Sequence, residues 1–182
     1  EIAGLKVSVD DLNKLTDEEK KSDELYQKAF AIEKKINAKY KGCDSSELFI
    51  EKNGKSPEEL LFIDSDYKEL SDTVDEIIAM PHRRFSISFN EDGFPKETRG
   101  LSSIAGLLEL YVDSLIANKK YDEAISLCQN IIKLSDGAPK RPVYFIHASL
   151  SGFENRVIDN VLKVPSDRKY LKKFRYFLAK LD

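Results

Sequence analysis

The sequence of 182 residues has no tryptophan, one methionine, two cysteines and two histidines. The histidines, His82 and His147, are far apart, and neither has a second ligand at the spacing of a zinc site, so we expect no metal. No uninterrupted apolar run reaches the roughly 18 residues of a membrane span, so we expect none in this chain.

The motifs of the commonest enzymes are also missing. The chain has no Gly-rich phosphate loop, no Gly-x-Ser-x-Gly turn and no Cys/His pair with a family signature. We therefore expect no cofactor and favour a non-catalytic protein, although the lack of a motif does not exclude an activity.

Composition and charge are those of a globular chain. Apolar residues make up 41% of the sequence, with 10 Phe and 8 Tyr, enough for the core of one domain spanning residues 1–182. The chain up to Met80 has 12 basic and 20 acidic residues, and the remainder has 17 and 12. Because the total is acidic, we expect the two parts to attract each other and do not expect nucleic acid as a partner.

Two helices have clear start signals in the first half, after an extended lead-in over residues 1–15. A capping box begins at Thr16 and predicts a helix to the stop at Gly42. Ser56, followed by Pro57 and Glu59, predicts a second helix as far as Met80. Its apolar stripe consists of Leu60, Ile63, Tyr67, Leu70, Val74 and Ile77.

A helical hairpin is predicted from Gly106 to Leu134. Apolar residues recur at spacings of three and four on both sides of a connector of three residues, Asn118 to Lys120, which is short enough to require antiparallel neighbours. Ala124 is expected where the two helices approach each other. Cys128 lies on the apolar stripe, which favours a buried free thiol.

The rest of the chain predicts two more helices and one irregular segment. Pro142 opens a helix, and Ser166 to Leu181 is expected to form a basic helix docked on the core rather than a membrane or nucleic-acid arm. Residues 81–100 lack helical periodicity, and we expect this segment to cross the helices with Phe85, Ile87 and Phe89 inward. The predicted fold class is an all-α bundle of about five amphipathic helices.

The hairpin resembles one known repeat. The string from Tyr121 to Ile125, followed by Ile131-Ile132-Lys133-Leu134, resembles the second helix of a tetratricopeptide repeat. The resemblance covers Gly106 to Pro139 and has no second copy, so it implies one repeat-like hairpin within a larger helical domain.

A second resemblance spans about Pro81 to Leu181. The irregular segment is followed by the hairpin, which ends at Asp136-Gly137, and then by a helix that opens at Pro142. This order is similar to that in uncharacterised helical proteins of bacteria that are exported or membrane-anchored. This resemblance implies no reaction. Because the chain starts at Glu1 and not at methionine, we expect that a signal peptide, an anchor or a cloning boundary preceded it.

Two function hypotheses follow. In the first, the chain is an interaction or scaffold module for another protein, and Glu109, Asp113 and Ile116 face a groove. In the second, it is a small-molecule binder or enzyme with a pocket under residues 81–100, lined by Phe85, Phe89 and Phe94. An anionic ligand would then be bound by His82, Arg83, Arg84 and Arg99. Alternatively, these four residues cap helix ends and pair with the acidic first half.

Overall fold

The computed structural model describes residues 13–41, 50, 53–89 and 96–134, with only the backbone of Thr98. These residues contain five helices and no strand, which confirms the all-α class. The helices are α1 (Asp17–Lys39), α2 (Pro57–Ile63), α3 (Ser65–Ala79), α4 (Lys96–Ala117) and α5 (Tyr121–Leu134).

Several predictions concern other parts of the chain. The lead-in before Asn13, the helix opening at Pro142 and the docked basic helix from Ser166 to Leu181 lie outside the described residues, as do Phe94 and His147.

Helix α1 begins as predicted. The Thr16 hydroxyl accepts a hydrogen bond from the Glu19 amide at 3.3 Å, and the Glu19 carboxylate accepts one from the Thr16 amide at 2.8 Å. This capping box satisfies two amide groups that the helix leaves without partners. The helix then buries Tyr26, Ala29 and Ile36 against the other helices.

The predicted helix from Ser56 to Met80 is wrong in one respect, because it is broken at Asp64. Asp64 has an extended backbone, with ψ of 114°, and its carboxylate accepts from the Asp66 amide at 3.0 Å as the N-cap of α3. The break lets α2 pack mainly on α4 while α3 packs mainly on α1 and α5. It also leaves Ile63, which the stripe predicted to be buried, 61% exposed.

The helical hairpin is present, but its first helix is longer than predicted. Helix α4 begins at Lys96 rather than Gly106, so residues 96–100 belong to it and not to the irregular segment. Gly100 lies inside α4 where it crosses α1, and a Cβ there would be 2.8 Å from the Phe30 ring. The close approach of α1 and α4 therefore requires a glycine at this position. The sequence pattern assigns Gly100 to the irregular segment instead.

A tight connection joins α4 to α5. The Lys119 amide donates to the Ile116 carbonyl at 2.9 Å, and the Lys120 amide donates to the Leu115 carbonyl at 2.8 Å. These two bonds form a Schellman motif, whose left-handed position is occupied by Lys119 with φ of 60°. The chain thus reverses within three residues, and Ala124 is buried at 1% exposure, consistent with its predicted place in the contact.

Helix α4 is central, since it packs against all four other helices. Its Arg99–Ala117 stretch is long and apolar enough to cross a membrane by length and composition, and half of that stretch is buried inside the protein. Burial on several sides explains the apolar composition, because a helix surrounded by neighbours needs more than one apolar stripe.

The segment from Arg83 to Phe89 is extended and crosses the helices as predicted. Phe85 and Ile87 are buried, and Phe89 is partly buried against the core. The Phe85 ring lies 4.7 Å from the Tyr26 ring, measured between centroids. Aromatic burial therefore joins this segment to α1.

Candidate functional site

Side chains of α1 hold the backbone of the extended segment. The Asp23 carboxylate accepts from the Ser86 amide at 2.8 Å and from the Ser86 hydroxyl at 2.9 Å. The Ser22 hydroxyl accepts from the Arg84 amide at 3.1 Å. These carboxylate and hydroxyl groups replace the partner strand that an extended chain would otherwise need.

Two residues outside the extended segment, one before α1 and one in α4, supply further side-chain partners. Asn13 forms a two-way contact with Ile87, donating to its carbonyl at 2.9 Å and accepting from its amide at 2.8 Å. Glu97 in the first turn of α4 accepts from the Ser88 amide at 3.0 Å and from its hydroxyl at 2.8 Å. Ser86 and Ser88 therefore bind carboxylates, and Ser88 is exposed while Ser86 is half-buried.

The four predicted anion-binding residues do not share one described ligand pocket. Arg83 donates to the Lys133 carbonyl at 2.8 Å, in the last turn of α5. Arg84 pairs with Glu19 at 3.4 Å, and the His82 ring nitrogen lies 3.5 Å from Glu18. The fourth residue, Arg99, is exposed on α4.

Two of these contacts have a clear structural effect. Arg83 and Tyr26 donate to the last two carbonyls of α5, the latter at 3.1 Å to Leu134, and so cap that helix. Arg84 ties the segment to Glu19 in the first turn of α1. The alternative interpretation, that the basic residues cap a helix end and pair with the acidic first half, matches this geometry for Arg83 and Arg84.

The three predicted groove residues lie in different environments. Glu109 is buried at 8% exposure, whereas Asp113 and Ile116 are half-buried. Ile116 packs against the core. The charges of Glu109 and Asp113 both act on Cys128 of α5.

Cys128 is a buried free thiol, as predicted. Burial, together with the nearby carboxylates Glu109 and Asp113, raises the pKa of the thiol to about 12. A thiol that stays protonated near neutral pH is a poor nucleophile. Cys128 therefore serves the packing of α5.

One side of α4 is only partly covered by the described residues, although Ser103 on this side accepts a hydrogen bond from Asn37 of α1 at 3.0 Å. Residues at positions 103, 106, 110, 113 and 117 follow one another at spacings of three and four, so they lie along one side of the helix. We call this side, formed by Ser103, Gly106, Leu110, Asp113 and Ala117, the open face. Leu110 is 48% exposed at its centre, and a Cβ added at Gly106 would have no atom within 4 Å.

A buried carboxylate joins α1 to the start of α3. Asp64, only 7% exposed, accepts from Lys39 at 2.8 Å and from the Tyr40 hydroxyl. Burial would raise the pKa of Asp64, but the hydrogen bonds from Lys39 and Tyr40 outweigh it, and the pKa lies below its usual value. Lys35 pairs with Asp66 at 2.7 Å beside them. All these groups have protein partners, so the cluster is structural.

A cavity of about 180 Å³ lies between α3, α4 and α5. Asp72 and Asp75 of α3 and Glu123 of α5 contribute carboxylates to its wall, and Lys68 of α3 contributes one positive charge. The sequence analysis did not identify this site, because these residues occupy positions outside the apolar stripes and fit a solvated helix surface equally well.

Tyr111 of α4 also lines the cavity and is only 7% exposed. Its hydroxyl makes no hydrogen bond to another group in the part of the chain that the structure describes. Burial raises the pKa of Tyr111, and the charges that act on it are those of Lys68, Glu123 and Asp72. All three charged residues line the same cavity as Tyr111.

Comparison with known proteins adds no relative. No protein-family model, curated protein or solved structure matches this chain. Within residues 13–41, 50, 53–89 and 96–134, no group of three His, Cys, Asp or Glu side chains is placed to hold a metal ion.

Proposed function

We propose that this chain is a non-catalytic helical interaction module, which binds another protein through the open face of α4. The observation that carries the proposal is Leu110, a large apolar side chain that is 48% exposed on a helix otherwise enclosed by four neighbours. A partner that covers Leu110 would gain about 1 kcal/mol or more from its apolar surface.

The neighbours of Leu110 favour close approach by a partner. Gly106 and Ser103 precede it by one and two helical turns, and both are small. Small side chains beside one projecting leucine form a shallow surface into which another helix or an apolar side chain can fit. The half-buried Asp113 provides a charged group at the edge of this surface. The resemblance to a tetratricopeptide hairpin supports the same proposal.

The alternative proposal, an anionic ligand bound under residues 81–100, has less support. Arg83 and Arg84 already bind groups of α5 and α1, and His82 lies beside Glu18. An anion would have to compete with these protein contacts for the same side chains.

Site-specific photo-crosslinking tests the interaction module. A photoreactive residue at position 110 should form adducts with one partner protein in cells, because the partner would lie directly against this position. The same residue at Ala31, which is exposed on α1, is the matched control. The added substitution Asp113→Lys should reduce the adduct formed at position 110. Equal adduct patterns at positions 110 and 31 would contradict the proposal.

A further inference from the structure

We propose that the cavity between α3, α4 and α5 binds a small primary alkylammonium ion. The cavity shares no residue with the open face of α4, so this proposal does not depend on the proposed interaction module. It rests on three observations: the charge balance of the wall, the Tyr111 hydroxyl on that wall, and the size of the cavity with its two leucines.

The charge balance leaves one carboxylate without a cation. Lys68 pairs with Asp72 at 2.6 Å. Glu123 pairs at 3.2 Å with Lys120, which lies outside the cavity wall. Asp75 accepts a hydrogen bond at 2.6 Å from Asn130, a neutral amide, and has no cation among its described contacts. A bound ammonium group would supply the missing positive charge.

Tyr111 adds a hydroxyl acceptor to the wall. The hydroxyl forms no hydrogen bond within the described residues, so its oxygen can accept one from a ligand with an N–H group. Ser71 and Ser126 place two further hydroxyl groups on the wall. An ammonium group has three N–H donors and can satisfy Asp75 together with hydroxyl acceptors.

Size and shape limit the ligand to a few atoms. An apolar cavity of about 150 Å³ can hold a benzene molecule, so a cavity of 180 Å³ suits a ligand of roughly six non-hydrogen atoms. Leu115 and Leu127 contribute apolar surface to the wall. A short alkyl chain fits against these leucines, while the ammonium group faces the carboxylates. The wall residues are not grouped to hold a metal ion, which favours an organic cation.

Titration followed by NMR tests the proposal on the full chain of 182 residues. The probe is butylammonium, and its neutral counterpart is 1-butanol, which has the same chain and no positive charge. We expect saturable shift changes at the amides of Ser71, Asp75 and Ser126 with butylammonium in the millimolar range. Butanol should give weaker changes that do not saturate at the same concentrations.

Matched variants separate the site from general attraction to an acidic surface. Tyr111→Phe removes only the hydroxyl and should weaken butylammonium binding by roughly five-fold. Its control is Tyr67→Phe, which removes a hydroxyl from the ring 5.9 Å away that does not line the cavity. Asp75→Asn should weaken binding by roughly ten-fold, whereas Glu76→Gln, on exposed surface next to it, should leave it within about two-fold.

Two outcomes would overturn the proposal. One is the absence of saturable changes up to tens of millimolar butylammonium. The other is equal weakening by Asp75→Asn and Glu76→Gln, which would indicate a diffuse effect of surface charge. If Tyr111→Phe does not fold, the comparison of Asp75→Asn with Glu76→Gln still decides the matter, because both of these residues are exposed.

Discussion

Asp64 is a single residue on which the arrangement of three helices depends. It ends α2, caps α3 and binds Lys39 and Tyr40 at the end of α1. A carboxylate this deeply buried is stabilised only while its charged partners remain in place. The local polypeptide geometry and the packing of α1 on α3 are therefore linked through one side chain.

The lowered pKa of Asp64 predicts a pH dependence of stability. Because the pKa is lower in the folded protein than in the unfolded chain, the contribution of Asp64 is complete above about pH 4. It is lost as the pH falls through the folded-state pKa. Asp64→Asn keeps a capping group but removes the charge, and should lower the free energy of unfolding by roughly 1–2 kcal/mol at pH 7.

Urea unfolding at a series of pH values measures this effect. The difference between wild type and Asp64→Asn should shrink as the pH falls below about 4. Asp72→Asn is the control, because Asp72 is exposed in a pair with Lys68, and it should change stability by no more than about 0.5 kcal/mol. A difference that stays constant down to the acid transition would show that the charge of Asp64 does not contribute.

At the scale of elements, the α4–α5 connection combines favourable hydrogen bonds with an unfavourable backbone conformation. The Schellman motif requires a left-handed residue, a position usually occupied by glycine. Here it is Lys119, whose Cβ is crowded at φ of 60°. The hairpin forms despite this strain because α4 and α5 bury apolar surface against each other.

Lys119→Gly should therefore stabilise the protein. Relief of the left-handed strain favours the folded state by more than the added freedom of glycine favours the unfolded chain, for a net gain of roughly 0.5–1 kcal/mol. Thermal unfolding followed by circular dichroism measures the gain as a higher Tm. Lys120→Gly, one residue later and without positive φ, is the control and should destabilise. A lower Tm for Lys119→Gly would contradict the strain argument.

At the scale of the whole molecule, the extended segment belongs to the core rather than to the surface. Phe85 is fully buried and contacts the rings of Tyr26 and Phe30. The side chains of Asn13 and Glu97 accept hydrogen bonds from the amides of Ile87 and Ser88, which follow it in the chain. The segment and the helices should consequently unfold together in one transition.

Phe85→Ala tests this cooperativity. Loss of a buried phenylalanine should lower the free energy of unfolding by roughly 3–5 kcal/mol. The far-ultraviolet signal of the helices and the tyrosine signal of the core should shift to the same lower midpoint. Phe89→Ala, at the half-buried end of the segment, should cost less. An unchanged helix transition, with fast amide exchange confined to residues 84–88, would show that the segment opens independently.

The helices themselves were predictable because their signals are local. The capping box at Thr16 and the Ser56 cap act within three residues, and the apolar spacing of α5 lies within one helix. The inward direction of Phe85 and Ile87 was also predictable, since alternation of side chains follows from an extended backbone.

Tertiary structure decided the features that depend on distant partners. Whether Gly100 is a loop residue or a helix contact depends on Phe30 of another helix. The exposure of Ile63 follows from the break at Asp64, where packing on two different helices outweighs one continuous stripe. The cavity around Tyr111 combines residues of three helices. Sequence determined where most helices form, because their hydrogen bonds are local, whereas the site depends on which surfaces meet after the chain has folded.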